Sequence, residues 1–272
     1  MKDVRIGAVT CRSEAGNVSR NIETLLYWVK KGRQKDVDIL CFPELNITGY
    51  SIKDSILSAA LHISDAPIKK AADLAIDYNL TILAGFLEPG QNGKAYASHL
   101  AMFPDGRVRV YRKIHVAPPE KNILIPGNSI PVFHDREIQF GVQLCYDAHF
   151  PEISTAMALQ KADIIFIPHA SPHGSPEKKI RSWMRHLTAR AFDNGVFIVA
   201  CNQSGENGHG LRFPALCLVI GPSGEILAKK PTSGEDMLVA DLKAADLEKV
   251  RGHRMRYFLP NRRPDIYRRF LG

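Results

Sequence analysis

The stretch Ile138-Gln-Phe-Gly-Val-Gln-Leu-Cys145-Tyr-Asp-Ala-His-Phe-Pro151-Glu152 decides how this chain is read. An apolar run rich in β-formers, Ile138–Leu144, stops at a cysteine, and Pro151 then opens a helical pattern running to Gln160. Proline suits the first turn of a helix because its missing N–H has no partner to lose there. A cysteine at the tip of a buried strand can present its sulfur to a pocket while the backbone stays rigid. Cys145 is therefore the candidate nucleophile.

Outward from this stretch, strand and helix patterns alternate and hairpins interrupt them. The sequence predicts strands at Val4–Thr10, Val37–Phe42, Leu80–Phe86, Asp163–Pro168 and Gly195–Asn202. It predicts hairpins from Tyr96–Phe103 with Arg107–His115, and from Leu216–Gly221 with Glu225–Lys229, then a last strand at Met237–Asp241. Helices are expected from Asn17 to about Lys31, over Pro67–Tyr78, and over Glu177–Asn194. No Pro/Gly/Ser-rich linker divides the 272 residues, so residues 1–272 are expected to form one domain. The mixture fits an α/β fold of two sheets, each covered by helices.

Composition narrows the function classes. Hydrophobic residues make up 45% and charged residues 24%, as in ordinary globular proteins. No apolar run approaches the ~20 residues of a membrane span. The N-terminus goes straight into a strand pattern without a signal-peptide core, so a cytoplasmic location is expected. Five cysteines at wide spacing, with no C-x-x-C pair, argue against a disulfide framework or a structural zinc. His169 and His173 stand four apart, but Pro172 between them spoils a helical ligand pair. Neither metal nor organic cofactor is expected. The net charge is +8, and residues 251–270 hold seven arginines against one acid, Asp265. A nucleic-acid binder would spread basic residues through its body. A basic tail, 251–272, that docks at a subunit interface accounts for the charge equally well.

Three further residues can serve a cysteine. Glu44, past the apolar strand in Phe42-Pro-Glu-Leu-Asn-Ile-Thr-Gly-Tyr50, is a desolvated carboxylate suited to a general base. Lys113, in Tyr111-Arg-Lys-Ile-His115, shares a face with Tyr111 and His115 by two-residue alternation. A buried lysine there needs an anionic partner. Glu120, in Pro118-Pro-Glu-Lys-Asn-Ile-Leu-Ile-Pro-Gly127, can orient Lys113 or relay protons. Around them, Tyr50, His149, His173 and Trp183 are candidate substrate contacts, and His149, His173 and Arg181 could meet a carboxylate.

These motifs, in this order and approximate spacing, resemble the nitrilase, or carbon–nitrogen hydrolase, superfamily over essentially the whole chain. Arg190-Ala-Phe-Asp-Asn194, Asn202-Gln203 and Arg262-Arg-Pro-Asp-Ile-Tyr267 resemble further segments of the amidase-like branch. The resemblance implies a four-layer αββα sandwich and a Glu44–Lys113–Cys145 site with Glu120 as an additional glutamate. It also implies a homodimer in which C-terminal tails cross between subunits. The chain departs from the pattern at Asp193, where Glu is usual, and at Pro214-Ala-Leu-Cys217, where Gly-x-Ser is common.

The implied chemistry is attack of the Cys145 sulfur on a small amide or N-carbamoyl carbon. Either Lys113 stabilises a thiolate or Glu44 takes the thiol proton during attack. Lys113 and the Tyr146 backbone N–H would hold the oxyanion, and water would cleave the thioester. Nitrile hydrolysis and glutaminase-type ammonia supply are the neighbouring alternatives, the latter because Ile47-Thr-Gly-Tyr-Ser-Ile-Lys-Asp54 resembles the glutaminase domains of NAD synthetases. A non-catalytic scaffold or a nucleic-acid binder using the tail is the alternative of another class.

Overall fold

A computed structural model describes residues 1–270. It shows two six-stranded mixed sheets stacked face to face, with helices outside both: a four-layer αββα sandwich. The first sheet runs β14-β1-β2-β3-β4-β5, built from β1 (Val4–Thr10), β2 (Ile39–Cys41), β3 (Thr81–Pro89), β4 (Ala95–Met102), β5 (Val108–Arg112) and β14 (Asp236–Leu242). The second runs β13-β12-β9-β8-β7-β6, from β6 (Val132–Asp135), β7 (Ile138–Val142), β8 (Ile164–His169), β9 (Phe197–Asn202), β12 (Leu216–Ile220) and β13 (Ile226–Pro231). A small ribbon pairs β10 (Gly205–Glu206) with β11 (Arg212–Phe213).

The central strands β1, β2 and β3, and β7, β8 and β9, are parallel; hairpin partners flank them. Parallel strands covered on both faces read as continuous apolar runs, and every residue of β8 and β9 is buried. Alternation sorts each strand of the first sheet between two cores. Val9, Leu40, Ile82, Leu100 and Met102 meet α1 (Val18–Arg33) and α2 (Ala66–Asp77). Ile6, Ala8, Cys41, Leu83 and Ala101 face the second sheet. There the Cys41 and Cys201 sulfurs lie 4.0 Å apart, and the rings of Phe103 and Phe140 6.2 Å. On the second sheet's outer side, α3 (Pro151–Leu159) and α5 (Leu187–Asn194) bring Ile153, Met157, Leu187 and Ala191 into the same core. Gly141 lets α3 lie close, because a Cβ there would press on the Met157 side chain.

The sequence reading differs from the structure in places that matter. The expected helix Glu177–Asn194 is two helices, α4 (Pro176–Met184) and α5, broken at His186, whose φ/ψ of −126°/−38° is not helical. The segment has no Gly or Pro inside it to announce the break. The strand before the nucleophile ends at Val142, and Cys145 opens a 3₁₀ turn, Cys145–His149. β5 ends at Arg112, although Lys113 still donates its N–H to Ala97 O at 2.9 Å. β6, β10 and β11 had no counterpart in the sequence reading.

After β14 come α6 (Ala244–Arg251) and α7 (Pro264–Tyr267). Arg251 is fastened to the body of its own chain, donating to Asp163 Oδ1 and Ala162 O, both at 2.7 Å. The rest of the basic tail is mostly exposed, and its last two residues, 271–272, lie outside the described residues. No helix among the described residues is long and apolar enough to cross a membrane.

Candidate active site

Glu44 comes first in the chain. Just past β2, Phe42 donates its N–H to Leu83 O at 2.8 Å, and the chain then turns through Leu45, at φ 55°. The turn is bound along β3: Gly85 donates to Asn46 Oδ1 at 2.8 Å, Ile47 to Gly85 O at 2.8 Å, and Leu87 to Thr48 Oγ1 at 3.0 Å. Backbone can lie this close only over a glycine, since a Cβ on Gly85 would stand 2.5 Å from Leu45 N. The result is a fully buried Glu44 carboxylate aimed between the sheets.

Lys113 arrives from β5. Its ammonium, 1% exposed, donates to Glu44 Oε1 at 2.8 Å and to Glu120 Oε1 and Oε2 at 3.0 and 2.8 Å. Glu120 lies in a 3₁₀ turn, Pro118–Glu120, accepts the Ala117 N–H at 3.0 Å, and accepts the Tyr50 hydroxyl at 2.9 Å. Two carboxylates thus share one cation in a sealed space. Burial raises Glu44; Lys113 pulls it down and the charge of Glu120 pushes it up, leaving it at about 7. Burial also works against the Lys113 ammonium, but the two carboxylates outweigh it and hold Lys113 well above the ordinary lysine value. Tyr50 is raised by burial and then by Glu120, so it remains a hydrogen-bond donor.

Cys145 is half-buried, with φ at 42°, a left-handed conformation uncommon outside glycine. Its sulfur feels Glu44, Lys113, Glu120 and Lys179. Burial, followed by the charge of Glu44, raises the thiol above its usual value despite the pull of Lys113. The resting group is accordingly a thiol, which favours proton removal during attack over a preformed thiolate.

The turn carrying Cys145 is clamped by residues whose role the sequence reading missed. Asp147, fully buried, accepts from Leu144 N at 3.1 Å, His115 N at 2.7 Å and the Tyr111 hydroxyl at 2.7 Å. Its place two residues after the cysteine, beside the quoted Tyr111-Arg-Lys113, was the available signal. Arg190 of α5 donates to the carbonyls of Ala148 and His149 at 3.0 and 3.1 Å. Asn202 holds Ser171 through Oδ1 and Nδ2, at 2.8 and 3.0 Å, and Gln203 donates to Glu44 O at 2.8 Å. The Ala170 N–H donates to Glu44 Oε2 at 3.1 Å.

The remaining candidates are placed differently. Tyr146 borders a cleft of about 660 Å³ whose walls include Ile114, His115, Val116, Leu124 and Phe150. His173, exposed and at φ 66°, borders a second cavity of about 440 Å³ together with Arg212 and Phe213. Phe213 packs edge-on against Tyr50, ring centroids 6.1 Å apart. Trp183 is 3% exposed and stacks on His169 at 4.1 Å. His149 is exposed and packs on His186 at 4.4 Å, and Arg181 is exposed as well.

The whole chain, rather than the cluster alone, has counterparts among known proteins. The family model for carbon-nitrogen hydrolase matches residues 5–252. The chain belongs to the carbon–nitrogen hydrolase family. As a member it is a cysteine-dependent hydrolase of carbon–nitrogen bonds. Among the family's curated proteins, an N-carbamoylputrescine amidase of Solanum lycopersicum is 31% identical, over 94% of this chain and 91% of that one. A probable nitrilase of Schizosaccharomyces pombe is 27% identical over 98% of each. The solved NitN amidase of Nesterenkonia sp. AN1 superposes with a TM-score of 0.84 at 25% identity, over 98% of this chain and 99% of that one.

Proposed function

We propose that the protein hydrolyses a small amide or N-carbamoyl compound, with Cys145 as nucleophile, Glu44 as general base and acid, Lys113 as electrostatic stabiliser and Glu120 as the residue that orients Lys113. The observation that carries this reading is the Lys113 ammonium held at 2.8 Å from both glutamates in a sealed cluster beside Cys145. In this scheme Glu44 takes the thiol proton as sulfur adds to the carbonyl carbon. The oxyanion is held by Lys113 and the Tyr146 N–H. Glu44 returns the proton to the departing ammonia or amine, leaving a thioester. Water, deprotonated by Glu44, then releases the acid and the free thiol. A base poised near 7 suits both directions of transfer at neutral pH.

For substrate contacts, Tyr146 and His173 border the two cavities, and Tyr50 acts through Glu120. His149 and Trp183 border neither of these cavities and pack instead on His186 and His169. The N-carbamoylputrescine amidases among the relatives support an amide or carbamoyl substrate, and the probable nitrilase among them makes nitrile hydrolysis the neighbouring alternative. The partner in this reading is a small molecule, not nucleic acid, since the excess charge sits on the tail. The exposed tail residues Met255, Phe258 and Phe270 support a homodimer interface there. Five free cysteines, two of them with sulfurs 4.0 Å apart, fit a reducing, cytoplasmic setting. Ammonia release across a panel of amides, N-carbamoyl amino acids and nitriles, with Cys145→Ala as control, tests the reading. Turnover that survives the substitution would remove it.

A further inference from the structure

Lys179 is a half-buried cation that the proposed chemistry leaves unused. It stands in the first turns of α4, where its ammonium donates to Ser171 Oγ at 2.8 Å and Pro172 O at 3.2 Å. Among the described residues, both hydrogen-bond partners are neutral. An ammonium has three donors, so one is left over.

The loop that holds Lys179 is the loop that holds Glu44. Ala170 donates its N–H to the Glu44 carboxylate, and the next residue, Ser171, is the one Lys179 grips. Asn202 fixes Ser171 through both its backbone groups. Trp183, one turn after Lys179, is stacked on His169 at the end of β8, so this face of α4 is packed down rather than swinging free. Burial lowers Lys179, and Cys145 in its thiolate form opposes that shift. The neighbouring cavity is lined by His173 and Arg212 and by no acidic residue, although Arg212 also pairs with Glu206 at 3.2 Å.

We propose that Lys179 anchors a carboxylate subsite, so that the amide hydrolysed at Cys145 carries an anionic group at its far end. The assignment rests on the hydrolase reading above. Lys113 cannot serve this purpose because it is already shared by Glu44 and Glu120. A half-buried ammonium facing only neutral acceptors keeps an unused donor, and an ionised substrate group would engage it in a charge-assisted hydrogen bond. The same ammonium repels a substrate that ends in a cation.

Three near-isosteric amides separate the possibilities: succinamate, ending in a carboxylate; butyramide, ending in a methyl; and β-alaninamide, ending in an ammonium. Each is assayed for ammonia release with the wild type, Lys179→Gln, which retains a donor for Ser171, and Lys179→Arg, which retains the charge. The wild type is expected to favour succinamate over butyramide by about 10- to 100-fold in kcat/KM, the value of a hydrogen bond to a charged group, and β-alaninamide to be poorest. Lys179→Gln should erase the preference mainly through KM, because a group remote from the reacting carbon binds equally before and during the reaction. Lys179→Arg should keep most of it. Cys145-dependent hydrolysis without preference for succinamate, or a Lys179→Gln loss equal on all three, overturns the subsite and leaves the hydrolase reading standing. No Cys145-dependent release from any of the three overturns both.

Discussion

The Tyr111 hydroxyl donates to Asp147 Oδ2 at 2.7 Å, joining β5 of one sheet to the nucleophile turn of the other. Tyr111 lies two residues before Lys113, and Asp147 two residues after Cys145. The same carboxylate binds the N–H groups of His115 and Leu144. One buried side chain therefore sets the distance between the candidate nucleophile and its candidate cation. Asp147→Asn exchanges an acceptor oxygen for an NH₂ facing a donor. It should cost about 1–3 kcal/mol of stability in urea unfolding, the penalty for an unsatisfied buried donor. Turnover should fall more through kcat than through KM. Tyr111→Phe should show the same pattern more weakly.

Cys145→Ala should abolish ammonia release while the fold remains cooperative. Cys145 also occupies φ 42°. A non-glycine residue pays about 1–2 kcal/mol for a left-handed conformation. Cys145→Gly should therefore be the more stable of the two inactive variants, less glycine's greater unfolded-state entropy. Thermal unfolding of the pair measures the difference.

The acid limb of kcat/KM should have its midpoint near pH 7, because Glu44 must be ionised to act as a base and sits at about 7. Burial is the main cause of that value, but the charge of Glu120 adds to it. Glu120→Gln removes that contribution, so the limb should move to lower pH even as the rate falls. A limb that stays in place would separate it from Glu44.

Lys113→Met should cost about 10²–10³ in kcat, as for loss of an oxyanion donor. It also removes the cation that lowers Glu44. The Glu44 carboxyl then titrates still higher in the folded state than the ordinary 4.5. A carboxyl raised on folding contributes stability below its unfolded value and loses it as pH rises through its folded value. Urea midpoints of this variant should therefore fall from pH 5 to pH 8 more steeply than those of the wild type.

Gly85→Ala should disable the site from outside it. The new methyl would meet Leu45 N at 2.5 Å and His99 Nδ1 at 2.8 Å. Backbone cannot yield as a flexible side chain does, so the Glu44 turn must lift off β3. A loss of about 1–3 kcal/mol, typical of overpacking, should accompany reduced kcat.

Much of this was legible in the chain itself. Apolar runs such as Asp163–Pro168 and Gly195–Asn202 read as buried strands because their side chains are almost all apolar, and the resemblance carried by the motifs around Glu44, Lys113 and Cys145 implied the sandwich. The helix break at His186 was not legible, because no residue in Pro176–Asn194 forbids a continuous helix and packing alone imposes it. Asp147 was in plain view, but nothing local says that its carboxylate reaches Tyr111, 36 positions earlier.

The sequence alone determined most of the strands and helices and which residue types can do the chemistry, because periodicity and side-chain functionality are local properties. Only the tertiary structure decided that Glu44, Lys113 and Glu120 share one sealed cluster and that Lys179 stands beside it with neutral partners. Those facts depend on how two sheets stack, and burial sets the charge of each group only after the stacking has excluded water.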